Sequence, residues 1–142
     1  SDMPYTVIPY AIGNKDILIK SIFGNNTENK ISVKSKPFME IVEENNIKKI
    51  DFLKTDCEGG EYNIFSIENL FWIKENVKKI SGEWHLKTPE LKAQFRIFRD
   101  TYLKLFPKHE VYSTDGTHIK WDLWNDHFID YYTEVIIHID NR

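Results

Sequence analysis

A single cysteine, Cys57, occurs among the 142 residues. No intrachain disulfide can form, and a reducing, cytoplasmic setting is the simpler expectation. Arginine is scarce beside lysine, and the formal net charge is −3. The basic stripe of a dedicated nucleic-acid binder is therefore missing, and no nucleic-acid partner is expected. No apolar run approaches the roughly 18 residues of a membrane span, so no membrane partner is expected either. No basic stretch followed by an apolar one opens the chain, so no secretory signal is visible. Glycine is sparse, and its only adjacent pair is Gly59-Gly60. No repeat, low-complexity tract or linker divides the chain.

The composition that remains is 41% hydrophobic, 14% aromatic and 29% charged, which is that of a folded domain. A chain of this size hides about 68–70% of the surface it exposes when unfolded, enough for a core without covalent staples. Ser1-Asp2-Met3 reads as a cloning remnant. From Pro4 the text runs abruptly into an apolar, strand-like stretch.

Periodicity supplies the elements. Tyr5 to Tyr10 is β-branched and aromatic and reads as a strand, with Pro9 near its end. Ala11 to Asp16 reads as a turn. Ile17 to Phe23 and Ile31 to Lys34 read as two strands around a Gly24 to Thr27 break. That break holds the glycosylation sequon Asn25-Asn26-Thr27, which is not expected to be used since no signal peptide is visible. Phe38, Ile41 and Val42 then fall at helical spacing behind Pro37. Ile50 to Asp56 is a mostly apolar strand, and a helical turn follows from Glu61. A helix near 71–76 leads into a strand over Val77 to His85. Thr88 and Pro89 open a helix carrying Leu91, Phe95, Phe98, Tyr102, Leu105 and Phe106 on its apolar side, ending before Pro107. Strands follow at Glu110 to Ser113 and Glu134 to Asp140. Between them Trp121, Trp124, Phe128, Tyr131 and Tyr132 share a stripe read as core, although a tryptophan beside carboxylates also suits sugar stacking. Alternating strands and helices predict an α/β sandwich with a mostly parallel sheet and one antiparallel member.

Two polar clusters carry the chemistry. Lys54-Thr55-Asp56-Cys57-Glu58-Gly59-Gly60-Glu61 sits where a buried strand ends, the usual side for ligands in open α/β sheets. Its carboxylates repel one another unless a lysine, a metal ion or a cationic ligand joins them. The same charges disfavour a Cys57 thiolate, so a nucleophilic cysteine is not expected. Gly82-Glu83-Trp84-His85 ends the next strand, where Glu83 and His85 point to one side. A carboxylate and an imidazole there serve as metal ligands or as a base with its orienting partner. His109, His118, His127 and His138 have no ligand-like spacing.

The stretch Ile50-Asp51-Phe52-Leu53-Lys54-Thr55-Asp56-Cys57-Glu58-Gly59-Gly60-Glu61 resembles the DxxKxDxEGxE segment of FkbM-family methyltransferases. Val7 to Asp16 is similar to that family's third sheet strand and following turn, and the likeness spans roughly residues 5 to 85. It implies a Rossmann-like three-layer sandwich, S-adenosylmethionine as cofactor, and O-methylation of a sugar or hydroxylated small molecule. It also implies that Asp56 lies near the methionine end of the cofactor and the acceptor, and Ala11 near the adenine. The family's glycine-rich cofactor loop and ribose-holding acid have no counterpart here, so residues 4–142 read as the C-terminal, N-terminally truncated part of such a domain.

On this reading Asp56 or His85 orients or deprotonates the acceptor hydroxyl. Glu58 and Glu83 bind acceptor hydroxyls or a divalent metal, and Trp84 lines the acceptor; no residue set is assigned as a dedicated metal centre. A small molecule or saccharide is the expected partner, together with self-association across an exposed sheet edge. Two other readings compete: a metal-dependent, nuclease-like phosphodiesterase using Asp56, Glu58, Glu83 and Lys87, and a non-catalytic binding or assembly module.

Overall fold

The computed structural model describes residues 5–13, 17–20 and 30–142, with backbone alone at 17–20 and 30–33. Two small strand pairs open it. β1 (Ala11–Ile12) runs parallel to β4 (Ser35–Lys36), and β2 (Ile17–Lys20) runs antiparallel to β3 (Lys30–Val33). The hairpin expected after residue 17 is thus present, while the break and sequon at 25–27 lie outside the described residues. Tyr5 to Tyr10, expected as a strand, is irregular. The Tyr10 amide donates to the Ile8 carbonyl at 2.9 Å, closing a three-residue turn on Pro9. Proline has no N–H for a ladder, and pairing begins only at Ala11, whose amide donates to Lys34 O at 3.0 Å.

α1 (Phe38–Glu44) buries Phe38, Ile41 and Val42, as their spacing predicts. A five-stranded sheet follows, built from β5 (Ile50–Thr55), β6 (Val77–His85), β7 (His109–Tyr112), β8 (His118–Ile119) and β9 (Glu134–Asp140). Its order is β5-β6-β9-β7-β8. The expected mostly parallel sheet is corrected here: only β5 and β6 pair in parallel. β9 slots between β6 and β7 antiparallel to both, and β8 is antiparallel to β7. β5, β6 and β7 still point one way, which is what strand–helix alternation encodes. The slot that the last strand takes is not encoded by that alternation.

Register divides the sheet into two unlike faces. On one, Ile80 opposes Ile139, Trp84 opposes Val135, and Val111 opposes both Ile137 and Ile119, all of them buried. α2 (Leu70–Asn76), α3 (Pro89–Phe98) and α4 (Asp126–Tyr131) supply Ile73, Phe95, Phe98 and Phe128 to the same core. Trp84 stacks on Phe98 with ring centroids 5.0 Å apart. Each such side chain contributes about 1.5–3 kcal/mol when fully buried. The other face carries Lys79 opposite Asp140, Ser81 opposite His138, Glu83 opposite Ile136, and His85 opposite Glu134. Most of these side chains are exposed or half-buried. Among the described residues the expected three-layer sandwich is thus represented by two layers.

The Thr88 side chain caps α3, accepting from the Leu91 amide at 3.2 Å. A π turn, Arg99–Leu103, widens the end of that helix and buries Tyr102 and Leu103. Leu105, expected in the core, is therefore rotated out and exposed. The aromatic stripe near the C-terminus is also corrected. Leu123, Phe128 and Ile129 are buried, whereas Trp121, Trp124 and Tyr131 face solvent. No helix among the described residues is long and apolar enough to cross a membrane.

Candidate active site

β5 and β6 pair in parallel up to Thr55 and Gly82, so Asp56 leaves β5 beside the last residues of β6. The two strands approach closely because position 82 has no side chain. A Cβ there would lie 2.6 Å from the Thr55 carbonyl oxygen, inside any real contact. β6 continues to His85, placing Glu83 and His85 on the polar face by strand alternation. The chain then turns sharply after Asp56, with Glu58 at φ 49° and Gly59 at φ 104°. Glycine takes the left-handed conformation freely, whereas at Glu58 it is uncommon and marks a constrained site. A 3-10 turn over Gly60–Asn63 then carries Glu61 inward.

Glu61 is fully buried. Its carboxylate accepts from three N–H groups: the Gly59 amide at 2.9 Å, the His85 amide at 2.6 Å and His85 Nδ1 at 3.0 Å. An ionised carboxylate only accepts, so the imidazole donates through Nδ1 and its other nitrogen, Nε2, is left for chemistry. The Tyr62 hydroxyl donates to the His85 carbonyl at 2.8 Å and fixes the same residue from behind. Burial, and then the Glu61 charge, push the Tyr62 phenol above its usual range, which keeps it a donor.

His85 Nε2 is buried and has no hydrogen-bond partner. It faces Glu58 at 3.7 Å, Glu134 at 3.8 Å and Glu83 at 3.9 Å. Asp56 belongs to the same group, with ligand atoms of Asp56, Glu58 and His85 all within 4.8 Å of one another. Among the described residues, this one histidine is the only basic side chain within 4 Å of the carboxylates of Glu58, Glu61, Glu83 and Glu134. No lysine or arginine among the described residues lies within ion-pair distance of them. Desolvation, followed by the charges of Asp56 and Glu134, raises the Glu83 carboxyl above its ordinary value, with His85 partly offsetting. Desolvation also pushes the Cys57 thiol up, as do the Glu61 and Asp56 charges, so a reactive thiolate is disfavoured.

Four sequence-predicted residues therefore converge: Asp56, Glu58, Glu83 and His85. Trp84 does not join them. It points to the opposite face, fully buried against Phe65 and Phe98, so its assignment to the acceptor is corrected. Ala11 lies on β1, whose end reaches the motif through Asn63 Nδ2 donating to Ile12 O at 3.3 Å. Two residues of the site were not singled out for it, Glu61 and Glu134. Glu61 stands at the end of the acidic motif, and Glu134 opens the last strand directly across from His85.

The acid-ringed histidine lies at the carboxyl ends of the parallel pair β5 and β6, the end of an open α/β sheet at which ligands usually bind. The family model of the methyltransferase FkbM domain matches residues 2–113, a span that holds both clusters. The chain belongs to that methyltransferase family. Comparison with curated proteins and with solved structures gives no match.

Proposed function

We propose that this protein transfers a methyl group from S-adenosylmethionine to a hydroxyl of a sugar or another hydroxylated small molecule. One observation carries the reading: a cluster of carboxylates around His85 that no lysine or arginine among the described residues neutralises. The reactive end of S-adenosylmethionine is a sulfonium cation, and an anionic donor set of this kind fits it. When bound, that group supplies an electrophilic methyl on an intrinsically good leaving group. The chain's own residues then have two tasks, alignment and proton removal.

Glu58 accepts hydrogen bonds from acceptor hydroxyls, and Glu83 with His85 Nε2 sets the position of the reacting oxygen. Asp56 stands at the tip of β5, exposed and without an ion-pair partner of its own among the described residues. It takes the hydroxyl proton. The new C–O bond forms as the S–CH3 bond breaks, leaving a methyl ether, S-adenosylhomocysteine and a protonated carboxyl.

The test uses the full-length protein, methyl-labelled S-adenosylmethionine, and matched acceptors bearing hydroxyl, amine or thiol groups. Label recovered as a methyl ether is the expected result. Label on the amine or thiol only, or on no acceptor, refutes the proposal.

A further inference from the structure

We propose that the site holds one divalent cation, bound by His85 Nε2, Glu83 and Glu134. This deepens the methyl-transfer reading, since the cation would occupy the point where His85 meets the acceptor oxygen. The ligand atoms of these three residues all lie within 4.8 Å of one another. Nε2 is 3.9 Å from a Glu83 oxygen and 3.8 Å from a Glu134 oxygen. A metal held at about 2.0–2.2 Å from each ligand spans such separations.

Acidic clusters are common without a metal, so the decisive feature is the histidine. His85 is 97% buried from solvent, its side chain being 3% exposed, and its Nε2 has no hydrogen-bond partner. A buried ring nitrogen left unsatisfied is costly, and a metal bond removes that deficit. The opposite nitrogen donates to Glu61 at 3.0 Å. A carboxylate behind a ligating imidazole is the usual second partner of a metal-bound histidine, fixing its tautomer and raising its basicity.

All three ligands sit on adjacent antiparallel strands, with His85 directly opposite Glu134 and Glu83 two residues before His85 on the same face. Strands hold such geometry better than the Asp56 to Gly59 turn does. One imidazole with two carboxylates is a mixed, oxygen-rich set that suits Mn2+, and Mg2+ more weakly. Asp56 and Glu58 remain on the open side for the acceptor. A hydroxyl bound to the cation is more acidic, which eases proton transfer to Asp56.

The experiment is a Mn2+ titration of the full-length, metal-free protein, followed by electron paramagnetic resonance of free Mn2+. One Mn2+ per chain is expected. Glu134→Gln and Glu83→Gln should each weaken binding at least about tenfold, with circular dichroism showing both variants folded. Glu110→Gln, on the same sheet face but beyond the cluster, should bind as wild type does. Absence of stoichiometric binding overturns the proposal, as does equal binding by all variants. Loss of binding in Glu58→Gln with Glu134→Gln unaffected also overturns it, because the ion would then sit on the turn. The readout needs neither S-adenosylmethionine nor an acceptor, so its failure leaves the methyl-transfer reading intact, and the reverse also holds.

Discussion

Asp56→Asn in the full-length protein is expected to lower the rate of methyl transfer on the order of 10²-fold, the scale of losing a positioned base. Asparagine keeps the size and hydrogen-bonding reach of aspartate but cannot take a proton at neutral pH. Asp56 is exposed, and no ion pair among the described residues depends on it. Folding stability should therefore stay close to wild type, and the loss should appear in kcat rather than in cofactor affinity alone. Steady-state kinetics on the two proteins decides the matter. Turnover within a few-fold of wild type removes Asp56 from the chemistry and shifts the base elsewhere in the cluster.

Glu61→Ala is expected to have the largest effect on stability. The carboxylate is fully buried and answers three N–H groups, two of them on His85. Truncation leaves those donors unsatisfied in a place water does not reach. Removing one member of a buried polar pair of this kind costs about 3–5 kcal/mol. For a domain of this size that corresponds to roughly 10–17 °C in Tm. Glu61→Gln retains the volume and one acceptor but turns an amide N–H toward a donor, so its cost should be smaller. Thermal unfolding of the two variants tests this. A Tm within about 2 °C of wild type for Glu61→Ala would mean that the buried hydrogen bonds do not hold the site.

Much of the fold could be read from local pattern, because local physics determines it. The β6 strand from Val77 to His85 has the predicted bounds, and so does β9 from Glu134 to Asp140. Thr88 and Pro89 gave the start of α3 through a side-chain cap and a pre-set φ. What depends on distant pairing was misread. Nothing in residues 134–140 says that this strand inserts between β6 and β7, so the sheet was expected to be mostly parallel. Tyr5 to Tyr10 has strand-like composition, but the turn at Pro9 delays pairing to Ala11.

The site divides along the same line. The convergence of Asp56, Glu58, Glu83 and His85 was legible because each follows or ends an apolar strand, and the two strands are neighbours. Trp84 was misplaced because its neighbours' chemistry outweighed the alternation that sends it to the core. Glu61 read as an acid at a helix start, since no local signal reports that a 3-10 turn will bury it. Glu134 could not be assigned without the β6–β9 register.

Buried Glu61 holds His85 so that Nε2 faces the acids. Nitrogen NMR of the metal-free protein, selectively labelled at histidine, reads this directly. His85 is expected to carry a hydrogen-bonded Nδ1–H, and the signal of this bond is expected to be lost in Glu61→Ala, which removes the oxygen that accepts it. A His85 ring with Nδ1 unprotonated, or a spectrum unchanged by the Glu61 substitution, would contradict it.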